Sequence, residues 1–144
     1  MKILGALLLL HLPCHAIGFA NGIKIGEVTD TSAVLWTRLT KGNEAGNRVN
    51  EWKADEPNWT VPGIAGKVRF SYWKDVVKNE AKDTGWIDVD ENSDFCLQTR
   101  IDGLSPGTAY RYVVRGESAD GTASIVGRFT TAPLPETEKT ITFT

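Results

Sequence analysis

Side chains that do chemistry at neutral pH are scarce in this chain, and most of them stand together. There are two histidines, His11 and His15, and two cysteines, Cys14 and Cys96. Three of these four fall between positions 11 and 15, in a segment that reads as an export signal. Lys2 supplies the short positive start, Ile3 to Leu12 an apolar stretch, and small residues follow. That stretch is too short to cross a bilayer, which needs about 20 residues. Cleavage is expected after Ala16 or Ala20, with Ala20 favoured because the first clear strand begins just beyond it. A lipoprotein signal fits less well, since Pro13 precedes Cys14 and His11 stands where an aliphatic residue is wanted.

Removal of residues 1–20 leaves no histidine and a single cysteine, Cys96. The formal charge then moves from −2 to −3, because Lys2 is the only charged residue lost. No intrachain disulfide can form, although an exported compartment would permit one. Zinc sites of the usual ligand sets are excluded. Ser-His-Asp and Cys-His catalysis lack their base. No Gly-x-Ser-x-Gly elbow or Gly-Lys-Ser/Thr phosphate loop occurs. "DVDENSD" (88–94) opens like a calcium loop, but Ser93 stands where glycine is needed and Thr99 where glutamate is needed. An acidic hairpin turn is the better reading. The inventory predicts no catalytic residue, no metal ligand and no cofactor for this chain.

With 144 residues, 41% hydrophobic and 24% charged, the chain has the composition of one ordinary globular domain. Lys67, Arg69, Lys74, Lys78 and Lys82 are interleaved with acids, and no basic stripe of the nucleic-acid-binding kind is visible. Nucleic acid is therefore not an expected partner. After signal removal no membrane span is expected either.

The elements that position these residues have period two. Strands are predicted at 22–28, 33–39, 67–74, 84–90, 94–101, in the stretch after 108, and at 122–132, with turn residues between them. Residues 75–83 offer at most one helical turn. Seven short strands without a helix imply an antiparallel immunoglobulin or fibronectin type III-like sandwich over 21–132. Val68, Phe70 and Tyr72 point to one face. On 33–39 the reading puts Trp36 in the centre of the core. Leu35, like Trp73 and Val113, is placed on the outward side, where something could cover it.

"DGLSPGTAYRYVV" (102–114) carries the most specific fold signal. Tyr110 is read as a corner tyrosine, its ring in the core and its hydroxyl bonded to backbone upstream. Leu104 plugs the core, Pro106 fixes the chain and Gly107 permits an unusual backbone angle. Between strands lies a long polar segment, 40–66, holding Trp52 and Trp59. Loops of that length are uncommon and often functional. The tryptophans are read either as anchors for a partner or as a lid over the sandwich end. "NWT" (58–60) fits a glycosylation sequon, a weak signal that matters only in a eukaryotic secretory route.

"GIKIGEVTDTSAVLWTRLT", "VPGIAGKVRFSYW", "DGLSPGTAYRYVVRG" and "GRFTTAP", in this order, resemble the N-terminal domain of PhoD-like phosphatases, the alkaline phosphatase D and phosphodiesterase family. The resemblance covers the chain after the signal. It implies a secreted protein, periplasmic or extracellular, in which a metallophosphoesterase domain follows and carries the divalent metals. It implies metal-dependent phosphoric ester hydrolysis for the full-length protein and no catalytic or metal residue here. The segment 133–139 reads as a linker, and 140–144 as the first strand of the missing domain. A stand-alone exported fibronectin-like module, binding a protein or glycan through Trp52, Trp59 or Trp73, is the competing expectation.

Overall fold

The computed structural model describes residues 17–42, 61–76 and 80–136. Trp52, Trp59, the sequon and the segment 137–144 lie outside the described residues. Among the described residues there are ten strands: β1 Ile17–Gly18, β2 Ile23–Gly26, β3 Ser32–Arg38, β4 Thr40–Lys41, β5 Gly66–Lys74, β6 Lys82–Asp83, β7 Ile87–Val89, β8 Cys96–Asp102, β9 Ala109–Ser118 and β10 Gly121–Thr130. All seven strands expected from the two-residue period are there. β1, β4 and β6, of two residues each, are additions that no periodicity announces.

All pairings are antiparallel. One sheet has the order β2-β3-β8, a second β10-β9-β5-β6 with β7 also paired to β5, and β1 and β4 form a separate two-stranded ladder. The sheets close on Leu35, Leu39, Val68, Phe70, Val89, Leu97, Ile101, Tyr110, Tyr112 and Val114. Val68, Phe70 and Tyr72 alternate inward along β5, as their spacing requires. β9 presents Tyr110 to Phe129 of β10 and Tyr112 to Phe70 of β5, with ring centroids 5.4 Å and 5.8 Å apart. Aromatic packing fills the place a disulfide takes in antibody domains.

Three expectations change. On β3, Ala33, Leu35 and Thr37 are fully buried, whereas Val34 and Trp36 are only half-buried. Leu35 therefore faces the core, and Trp36 stands on the outer face between Lys24 and Gln98. Trp36 has the larger side chain, but Leu35 is flanked inward by Ile25 and Thr99, so the register seats the smaller side chain in the interior. Second, Ile17 (2% exposed) and Phe19 (6%) belong to the core, so the fold begins before residue 21. Third, residues 88–94 form no hairpin. β7 and β8 lie in different sheets, joined by a single 3-10 turn at Glu91–Ser93. Asp90 caps it, accepting from the Asn92 backbone N–H at 2.9 Å, so the acidic side chains serve the turn itself.

At the corner before β9, the Tyr110 hydroxyl accepts the Ser105 backbone N–H at 2.9 Å while its ring is buried. Leu104 is buried and its N–H donates to the Thr31 carbonyl. Gly107 has φ +56° and donates to the Ala132 carbonyl at 2.8 Å, which ties the end of β10 to the corner. Tyr110→Phe keeps the ring and orphans one amide. The expected loss is about 1 kcal/mol, read from chemical denaturation, with no change in m-value.

Burial raises the pKa of the Tyr72 hydroxyl from its ordinary 10.0, with the neighbouring Tyr110 adding to the rise, and burial alone raises that of Tyr112. A raised folded value favours the neutral form in the native state. Its contribution to stability is fully present below about pH 10 and is lost as pH climbs through the folded value. The denaturation midpoint should therefore fall above about pH 10, and Tyr112→Phe should make that fall shallower. An identical pH profile in the variant would contradict this cause.

Candidate functional site: the outer face of the five-stranded sheet

Among the described residues, concave sites give little. A depression of about 120 Å³ lies between Tyr72, Trp73, Lys82 and Leu104, and another of about 290 Å³ beside Arg115 and Ser124. Small-molecule sites usually occupy about 300–1,000 Å³. Among the described residues no three His, Cys, Asp or Glu side chains converge to hold a metal ion. The described residues therefore do not fit a divalent metal centre. Cys96 is half-buried on the β8 face that also carries Gln98 and Arg100, and its Sγ donates to the Asp94 carbonyl at 3.4 Å. Burial, then the Asp94 charge, pushes its thiol pKa up, which disfavours the thiolate a nucleophile needs.

The flat face is richer. Outward residues of β5, β9 and β10 line up in rows across the sheet. Trp73 stands opposite Arg111, and Arg111 opposite Arg128. Next come Ser71, Val113 and Val126, then Arg69, Arg115 and Ser124, then Lys67, Glu117 and Thr122. Five cations, Lys67, Arg69, Arg111, Arg115 and Arg128, share this face with three carboxylates: Glu117, which pairs with Lys67 at 3.2 Å, Asp88 opposite Lys67, and Asp83 opposite Ser71. Asp75 pairs with Arg111 at the rim. Val126, in the middle row, is 74% exposed.

Two features of this face cost stability in an isolated domain. Arg69 and Arg115 are directly opposed like charges, as are Arg111 and Arg128. Arg69 also has a buried Nε with no hydrogen-bond partner. Trp86 offsets part of this cost, with the Arg69 guanidinium 4.8 Å and the Lys67 ammonium 5.1 Å from its ring. Arginine and tryptophan around an exposed apolar centre is the composition of a protein-binding surface.

Of the residues expected to make contacts, Trp73 lies on this face and Leu35 does not, being sealed in the core. Arg69, Arg111, Arg115, Arg128, Val126 and Trp86 were not foreseen. In the linear sequence the cations are spread from position 67 to 128, and only strand register brings them together.

The architecture is a fibronectin type III-like β-sandwich whose five-stranded sheet carries an arginine-rich outer face. Residues 12–133 match the family described as "PhoD-like phosphatase, N-terminal domain", and the chain belongs to that family. Among solved structures, it is similar to "Structure of PhoD" at 24% identity and TM-score 0.59, over 84% of this chain and 20% of that one. The chain thus spans about a fifth of that protein's length. It is also similar to the sensor domain of the anti-sigma factor RsgI4 in Pseudobacteroides cellulosolvens, at 18% identity and TM-score 0.50, over 85% of this chain and 93% of that one. A fibronectin type III domain from the human KIAA0970 protein aligns at 13% identity and TM-score 0.39, over 84% of this chain and 83% of that one. No curated protein sequence matches the chain.

Proposed function

We propose that this chain is the non-catalytic N-terminal domain of a secreted, metal-dependent alkaline phosphatase or phosphodiesterase. Its outer sheet face docks on the catalytic domain that follows. Family membership supports the phosphatase context, and the small share of the PhoD chain that it covers leaves room for a catalytic domain. The single observation that carries the docking role is the row pattern of Trp73, Arg111, Arg128, Val113, Val126, Arg69 and Arg115. A surface with opposed arginines is stabilised by an acidic neighbour. The divalent metals belong to the catalytic domain, where they activate water and hold the attacking and leaving oxygens. No residue described here takes part in that step. The targeting pattern at the N-terminus supports export to the periplasm or beyond.

Arg115→Glu tests the docking role through opposite signs. In the chain alone it relieves the repulsion from Arg69 and creates an opposite-charge pair, so stability should rise by about 0.2–1 kcal/mol. In the full-length polypeptide it should weaken docking by about 2–5 kcal/mol and split thermal unfolding into two transitions. Stabilisation in both contexts would remove the docking role and favour a stand-alone binding module.

A further inference from the structure

The sequence offers two signal-cleavage points, and the packing of residues 17–20 separates them. β1 pairs with β4, placing Ile17 opposite Lys41 and Gly18 opposite Thr40. β4 continues the chain of β3 from one sheet, while β1 also packs against β9 and β10 of the other. β1 is thus the seal along an open seam between the sheets. The Ala20 backbone N–H donates to Thr40 Oγ1 at 3.1 Å, and the Gly22 N–H donates to the Phe19 carbonyl at 2.8 Å.

The opposite wall is shaped for this segment. A Cβ on Gly116 would come 2.6 Å from Leu39 Cδ1 and 3.0 Å from Phe19 Cζ. The bare backbone there leaves room for Phe19 and Leu39 to lie against β9 without shifting. Cutting after Ala20 would remove Ile17 and Phe19 from the folded product and leave this cradle facing water.

We infer that processing hydrolyses the Ala16–Ile17 bond, so that the mature chain begins at Ile17 and keeps its sealing strand. The reaction consumes one water, leaving a carboxylate on Ala16 and an amino group on Ile17. Its catalyst is a signal peptidase of the exporting cell. Cys14 and Ala16 supply the small residues that such enzymes require at the third and first positions before the cut. The inference rests on the export reading and adds the bond that is cut.

The test is the intact mass of the full chain exported from a bacterial host. A product beginning at Ile17 is expected. A product beginning at Asn21 would overturn the inference and leave export standing. An uncut chain retained in the cytoplasm would overturn both. Processing can also be followed by pulse-labelling, independently of folding. Ala16→Leu should slow it at least ten-fold, and Ala20→Leu should leave it unchanged. The reverse pattern would place the cut at residue 20.

Discussion

A chain beginning at Asn21 should unfold at markedly lower denaturant than one beginning at Ile17. Fully burying a large apolar side chain contributes about 1.5–3 kcal/mol, and Ile17 and Phe19 are both in the core. Their joint loss is expected to cost about 3–6 kcal/mol. That is a large share of the 5–15 kcal/mol typical of a domain of this size. Leu39, fully buried against Phe19, would gain exposure, and the Thr40 hydroxyl would lose the Ala20 amide. Equilibrium urea denaturation of the two chains measures the difference. Equal midpoints would mean that β1 seals nothing.

The second large effect separates neighbours on β3. Leu35→Ala should cost about 2–5 kcal/mol, because Leu35 is fully buried and its removal leaves a cavity between the sheets. Trp36→Ala removes a much larger side chain yet should cost only about 1 kcal/mol, since Trp36 is half-buried on the outer face. The order of the two costs is the informative result. A larger loss for Trp36→Ala would mean that β3 is turned the other way, and with it the register to β2 and β8.

This pair also shows where sequence reasoning stopped. β3 has apolar side chains on both faces, so alternation establishes a strand without saying which face is inside. The inward set includes Ala33 and Thr37, which do not look like core residues, and size alone pointed to Trp36. β5 was readable because its outward set, Lys67, Arg69 and Ser71, is plainly polar. The corner at Leu104–Tyr110 was readable because one short stretch holds the proline, the glycine and the tyrosine that the turn needs. β1 was hidden because Ile17 and Phe19 fall within the segment read as the export signal, ahead of the favoured cut after Ala20. The arginine face was hidden for a different reason. Arg69 and Arg115 are 46 positions apart and meet only through the β5–β9 register. A sequence scan sees a charge beside an acid. The sheet sees a charge beside its like.

On the proposed docking, that arrangement gives the described residues, which hold no histidine, a part to play beside a catalytic domain. Opposed arginines held at some cost are consistent with a surface that reaches its lowest free energy against an acidic partner. Trp73 and Val126 would then anchor the contact, while the chemistry stays in the catalytic domain.

The most direct test is to isolate, from cells that make it, the polypeptide recognised by an antibody raised against residues 17–136. Its mass and its hydrolysis of a p-nitrophenyl phosphate ester would then be measured with and without a chelator. The expected species is several times heavier than the 15.8 kDa of this chain and loses activity when divalent metal is removed. A species no heavier than 15.8 kDa, inert toward the ester at every metal concentration, would contradict the account.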